Sequence, residues 1–141
     1  MRKIFAILSL FIFVFYTQAQ SYDGQGDHKI NIGYELYAKN GIKATYDFGL
    51  SDMFSIGAGI SLYLNNDVDD YFISTRISGH LGNVLDLPTK LDIYPVVELG
   101  YLSSNDITIG GYAGIRYFFT ENIGVFAEIG TSGVLGLSIN L

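Results

Sequence analysis

The chain has 141 residues, enough for one domain, with 17 Gly, 11 Tyr, 10 Phe, only 2 Pro and no Cys. Without cysteine there is no disulfide, thiolate nucleophile, acylated lipoprotein cysteine or Cys-based metal site, and a net charge of −6 argues against general nucleic-acid binding, which needs a basic surface. Charged residues make up 16% and mean hydropathy is +0.30, yet beyond the N-terminus no apolar run reaches the ~20 residues of a spanning helix, so a mature chain that meets lipid must do so with strands.

Met1-Arg2-Lys3 is a positive opening, Ile4 to Tyr16 an apolar run, and Thr17-Gln18-Ala19 places small residues at −3 and −1 before Gln20. This order predicts a secretory signal peptide over residues 1–19, cleaved after Ala19. The run is too short for a membrane anchor, and no stop-transfer charges follow it. Losing Arg2 and Lys3 leaves six basic against fourteen acidic residues. Residues 20–27 are polar and Gly-containing, and read as a flexible lead-in.

From Lys29 the chain alternates with period two, as strands with two unlike faces do. In the first strand Ile30, Ile32, Tyr34, Leu36 and Ala38 oppose Lys29, Asn31, Gly33, Glu35 and Tyr37. An Asn40-Gly41 hairpin signal precedes the second, where Ile42, Ala44, Tyr46, Phe48 and Leu50 oppose Lys43, Thr45, Asp47 and Gly49. The third sets Phe54 through Leu64 against Ser55, Gly57, Gly59, Ser61 and Tyr63. The polar segment Asn65-Asn66-Asp67-Val68-Asp69-Asp70 then breaks the pattern. The fourth sets Tyr71, Ile73, Thr75 and Ile77 against Phe72, Ser74, Arg76, Ser78 and His80, and residues 82–90 form the longest connection. The fifth pairs an outer Leu91, Ile93, Pro95, Val97, Leu99 series with Asp92, Tyr94, Val96 and Glu98. Pro95 lacks a donor and predicts a bulge or break. The sixth runs from Ile107 to Phe119 with Tyr112 and Arg116 on its other face, the seventh from Ile123 to Gly130 with Phe126 and Glu128, and the last ends at Leu141.

These patterns predict an all-β chain: an eight-stranded antiparallel up-and-down transmembrane β-barrel over residues 28–141, preceded by a signal peptide. A strand tilted ~45° needs roughly 9–11 residues to cross a bilayer, and a closed barrel leaves no unpaired edge in lipid. One face of each strand is nearly free of charge. The other mixes Gly, Ser, aromatics and a few charges, as a narrow filled lumen requires. The apolar face is therefore assigned to lipid. A soluble lipocalin-like barrel with the faces reversed is the alternative. Tyr34, Tyr46, Tyr71, Tyr101, Tyr117 and Phe119 fall on the outward face, mostly near strand ends, where interfacial girdles lie.

The stretch Gly114-Ile115-Arg116-Tyr117-Phe118-Phe119-Thr120-Glu121-Asn122-Ile123-Gly124-Val125-Phe126-Ala127-Glu128-Ile129-Gly130 resembles the closing hairpin of small outer-membrane β-barrel proteins of the porin-like and opacity-like type. So does Leu87-Pro88-Thr89-Lys90-Leu91-Asp92-Ile93-Tyr94 entering a strand that ends Glu98-Leu99-Gly100-Tyr101. The resemblance covers residues 28–141. It implies localisation in the outer membrane of a Gram-negative-type cell, assembly by the barrel insertion machinery, and both termini in the periplasm. The turns at residues 51–52, 82–90 and 120–122 would then be periplasmic, and those at 39–40, 65–70, 103–106 and 131–133 extracellular. The chain departs from many such barrels in ending Ile139-Asn140-Leu141 and not on an aromatic.

No catalytic constellation stands out, and no enzymatic activity, cofactor or metal is expected. His28 and His80 are far apart in sequence, and the glycines follow strand alternation and not a phosphate-binding turn. A Ser-His-Asp site needs no adjacency in sequence, and nothing points to one. Candidate functional residues are a lumen charge network of Glu35, Asp47, Arg76, Glu98, Arg116 and Glu128, with Arg76 expected beside Glu98 and Arg116 near Glu128. A weak divalent-cation loop is a second candidate at Asp67, Asp69 and Asp70, because hard cations take carboxylate oxygens. Expected partners are outer-membrane lipids and lipopolysaccharide, with the protein monomeric. The leading role is a structural or surface-interaction barrel with a plugged lumen; the alternatives are a narrow channel or carrier for small or hydrophobic solutes, and a soluble periplasmic ligand-binding barrel.

Overall fold

Alternating apolar and polar positions fold here into a single sheet that closes on itself. The computed structural model describes residues 20–64 and 69–141, so the expected signal peptide and Asp67 lie outside the described residues. The described residues form eight strands: β1 (His28–Tyr37), β2 (Gly41–Gly49), β3 (Phe54–Tyr63), β4 (Tyr71–Gly79), β5 (Leu91–Leu102), β6 (Asp106–Phe118), β7 (Ile123–Gly130) and β8 (Gly133–Asn140). Each pairs antiparallel with its sequence neighbours, and β1 pairs with β8 from Lys29↔Asn140 to Tyr37↔Gly133. Strand ends differ slightly from the alternation pattern: β3 stops at Tyr63, β5 runs on to Leu102, and β6 ends before Phe119.

The two faces lie as the charge distribution implied. Ile32, Ile60, Ile73, Ile77, Val97, Leu99, Ile107, Ile109, Ile129 and Leu137 point outward, with Ile107 as much as 79% exposed. Lys29, Asn31, Asp47, Arg76, Asp92, Glu98, Arg116 and Glu128 point inward and are buried. The interior therefore has a polar middle with aromatic packing from Phe72, Tyr94, Phe118 and Phe126. This orientation is the reverse of that of a barrel with an apolar interior. A lipocalin-like arrangement would bury the Ile and Leu series and expose the charges.

Glycine on the inner face makes room for the rings. Gly114 faces Tyr94 across the β5–β6 ladder, and any Cβ there would overlap the Tyr94 ring. Gly100 does the same for Phe72. Large rings thus pack over glycine backbone, where a second side chain at the same position would overlap them.

Three expectations are corrected. Pro95 causes no break: β5 stays in register with β6 through Pro95↔Ala113. The β4–β5 ladder ends at Ser78↔Val96, so Pro95 lies just past it on that side. The irregularity occurs instead between Glu35 and Tyr37, where β1 carries one extra residue against β8. The bulge turns Tyr37, expected on the inner face, out to 46% exposure, and its hydroxyl donates to the Gly130 carbonyl at 2.9 Å. Finally, residues 20–27 are not a loose lead-in. Ser21, Tyr22 and Asp27 are buried, and the segment is fixed by Ser21 N–H to Thr89 O (2.8 Å) and Gly26 N–H to Gly49 O (2.8 Å).

Gly114→Val is expected to cost roughly 1–3 kcal/mol or more by overpacking against Tyr94. Gly111→Ala, where a Cβ meets only the Val96 carbonyl at 3.9 Å, is expected to be nearly neutral. Urea unfolding midpoints of the detergent-folded variants, followed by gel mobility, distinguish the two.

Candidate functional site

An inward charge far from water is tolerated only when other charges and donors surround it. Arg76, on β4 and 1% exposed, is the hub. Its Nη2 lies 2.5 Å from Glu128 Oε1 across the lumen, its Nε 3.3 Å from Asp47 Oδ1, and its Nη1 4.0 Å from Glu98 Oε2. Arg76 and Glu98 are also direct cross-strand partners, as expected. The shortest contact, however, goes to Glu128, three strands away around the wall, because a narrow lumen brings opposite walls within reach of a guanidinium. Glu98 Oε1 accepts from Lys43 Nζ at 2.9 Å. Tyr94 OH donates to Glu128 at 3.3 Å.

Arg116 faces Phe126 in the β6–β7 register, as expected, but does not pair with Glu128. Its Nε donates to Ser138 Oγ at 2.9 Å, one Nη2 to Asn31 Oδ1 at 3.2 Å, and the same nitrogen lies 3.7 Å from Asp47 Oδ2. Its guanidinium carbon lies 4.4 Å from the Tyr94 ring centre, in cation–π range. Glu128 is already held by Arg76, so Arg116 turns to Asp47 and the amide. Asn31 completes this layer by donating to Thr45 Oγ1 (2.9 Å) and Asp47 Oδ2 (2.8 Å). Five of the six expected network residues therefore meet in one ionic layer. Glu35 stands apart, nearer the end of the barrel away from the termini. It accepts from Ser61 Oγ at 2.6 Å and is in no ion pair among the described residues.

A second polar chain, with His80 as a hydrogen-bonding lumen residue at its centre, closes the end that carries the termini. His80 Nε2 lies 2.8 Å from Ser55 Oγ and His80 Nδ1 2.5 Å from Asp92 Oδ2. This is the connectivity of a serine hydrolase triad. Ser55 is only 2% exposed, and the Tyr22 ring stacks on the imidazole with ring centres 3.6 Å apart. The adjacent cavity is about 20 Å³, too small for an acyl substrate. The chain reads as a buried hydrogen-bond relay. Tyr22 OH reaches the Ser51 (2.5 Å) and Phe54 (2.8 Å) carbonyls, so the N-terminal strap is tied to the β2–β3 turn above the relay. Burial pushes the Tyr22 phenol up to about 12, aided by Asp27, Asp92 and Asp52. Sequence signalled the three residues only through their common inward parity.

At the opposite end Asp69 pairs with Lys39 and accepts from the Ser104 amide at 3.1 Å, which holds its carboxyl below the usual range. The Asp70 amide donates to Ser103 Oγ at 2.7 Å. Asp69 thus works as a clamp between loops. Among the described residues no group of three or more His, Asp or Glu side chains has a metal-binding arrangement.

Arg76→Ala removes the cation nearest Glu128 and leaves Asp47 to Arg116 and Asn31, and is expected to cost about 3–5 kcal/mol, against at most about 1 kcal/mol for Lys39→Ala at a loop; unfolding in detergent measures both. The Tyr22 phenol is raised on docking, so its contribution is complete below the ordinary tyrosine value near pH 10 and lost as pH rises toward 12. Protease cutting within residues 20–27 is expected to rise over that window while the barrel stays resistant, and Tyr22→Ala is expected to show the cutting at neutral pH.

Solved structures share this fold. The chain of a study on de novo design of transmembrane β-barrels superposes with TM-score 0.68 at 16% identity, covering 84% of this chain and 98% of that one. The N-terminal β-barrel domain of Pseudomonas aeruginosa OprF superposes with TM-score 0.63 at 18% identity, covering 84% and 100%. No curated protein matches the sequence. A family model described as a family of unknown function, DUF6646, matches residues 11–134, and with most of its length so matched the chain belongs to the DUF6646 family.

Proposed function

We propose that this chain is an integral outer-membrane β-barrel with a side-chain-plugged lumen and a structural or surface-interaction role, without enzymatic activity. One observation carries the reading: a closed sheet turns its Ile, Leu and Val series outward while it buries its charges in a paired layer. In water that outer wall would be an aggregation surface far larger than soluble monomers expose. In a bilayer it is the required face, and closure leaves no backbone group unpaired against lipid.

Half-exposed Tyr34, Tyr71 and Tyr101 toward one end, and Tyr46 and Phe119 toward the other, suit the two interfaces. The fold likeness to outer-membrane and designed transmembrane barrels agrees with this placement. The leader pattern over residues 1–19 would supply export, and the barrel insertion machinery would supply assembly. Both termini lie at one end of the barrel, which we assign to the periplasm. The other end, with Lys39 and Asp69, would face lipopolysaccharide. The Arg76–Glu128–Asp47 layer spans the lumen and favours a plug over a conducting pore.

Expression in a Gram-negative host is expected to place the protein in the outer-membrane fraction, with faster gel migration before boiling than after. Planar bilayers containing it are expected to show no steady conductance. Recovery as a soluble periplasmic monomer would overturn the membrane assignment, and sustained single-channel currents would put the channel reading first.

A further inference from the structure

The lumen is not filled along its whole length. Above the ionic layer, at the end away from the termini, a cavity of about 110 Å³ opens outward. Its walls are Tyr63, Phe72, Leu102 and Tyr112, and two buried carboxylates, Glu35 and Glu98, line it as well. Gly110, on β6 beside Tyr112, contributes no side chain and keeps the space open.

The two carboxylates are not equivalent. Glu98 is answered by Lys43 at 2.9 Å and by the Tyr112 hydroxyl at 3.5 Å. Lys39, the other cation at the cavity, is committed to Asp69. Glu35 is 3% exposed and, among the described residues, has one neutral donor, Ser61 Oγ, and no cation within ion-pair distance. A desolvated carboxylate without a countercharge is costly. Of the acidic groups at this end, Glu98 is held by Lys43 and lies 4.0 Å from Arg76, and Asp69 is held by Lys39, so Glu35 is the one with no paired cation among the described residues.

We propose that this cavity is a binding site for a small organic ammonium, with the charged nitrogen against Glu35 and an apolar or aromatic body between Tyr63, Phe72 and Tyr112. The walls exclude a hard metal ion, which needs six or more oxygens, because rings and Leu102 supply most of the surface. Aromatic rings suit an ammonium, whose charge they attract. The enclosed space, about 110 Å³, is smaller than the roughly 150 Å³ of engineered cavities that hold benzene, so an aromatic body would be only partly enclosed and would extend through the open side. The site ends blind on the Arg76 layer, so it captures a ligand without passing it on. The site lies within the lumen and makes no lipid contact of its own, so its test stands apart from that of the membrane assignment.

The test is titration calorimetry of the detergent-folded protein with benzylammonium, benzyl alcohol and benzoate. Benzylammonium is expected to bind and the other two to bind far more weakly. Glu35→Gln is expected to weaken benzylammonium at least about tenfold, the scale of one charge-assisted contact, while heat-modifiable migration shows the barrel still closed; Glu35→Asp, which keeps the charge, is expected to retain most of the affinity. Chemical-shift mapping on the unmodified protein gives a readout free of mutation, with changes expected at Glu35, Tyr63 and Tyr112. Absence of benzylammonium binding, equal binding of benzyl alcohol, preference for benzoate, or shifts confined to the Tyr22 end would each overturn the proposal.

Discussion

The ladder between β1 and β8 closes the sheet, and closure imposes the division of labour among side chains. An open sheet of these strands would carry an apolar face, a charged face and two raw edges, and no single solvent would suit all three. Joining Lys29 to Asn140 and Tyr34 to Leu135 removes the edges and turns the two faces into an outside and an inside. The inside is then small enough that side chains on opposite walls touch. Arg76 on β4 reaches Glu128 on β7 for that reason, and Arg116 on β6 reaches Asn31 on β1. The bulge at Glu35–Tyr37 falls in this same closing ladder, where any mismatch between the first and last strands has to be absorbed.

Much of the architecture was legible because strand parity is a strong signal and a charge breaks it visibly. The eight strands, their order and the inward parity of Arg76, Arg116, Asp47, Glu98 and Glu128 follow from alternation alone. Cross-strand neighbours could be counted through short turns, which is how Arg76 came to be placed beside Glu98 and Arg116 opposite Phe126. Counting along hairpins says nothing about distance across the lumen, and so Glu128 was matched to Arg116 when Arg76 holds it. Pro95 looked disruptive because its missing donor is a local property, whereas the extent of the β4 ladder beside it is not.

The ends of the barrel were the least legible. Residues 20–27 have the composition of a loose segment, and nothing local foretells that Tyr22 stacks on His80 or that its hydroxyl finds the Ser51 and Phe54 carbonyls. The Ser55–His80–Asp92 relay draws on β3, the residue just past β4 and β5, which two consecutive hairpins bring side by side. Polar chemistry concentrated in this way can resemble catalysis in connectivity while serving as a seal. Here Ser55 is 2% exposed and the Tyr22 ring stacks on its partner His80.

The reach of Arg76 across the lumen also bears on how the molecule is assembled. Its partners come from β2, β5 and β7, and the Arg76–Glu128 pair joins residues 52 apart in sequence. No single hairpin contains the full set, so a chain folding hairpin by hairpin in lipid would carry desolvated charges that nothing yet neutralises. Such intermediates are the costly ones, and contacts this distant in sequence arrive late in any case. On the membrane reading proposed above, the polar faces would stay hydrated until β7 joins the sheet. Pairing of the charges, expulsion of water and insertion would then become one event, and formation of the barrel would be all-or-none.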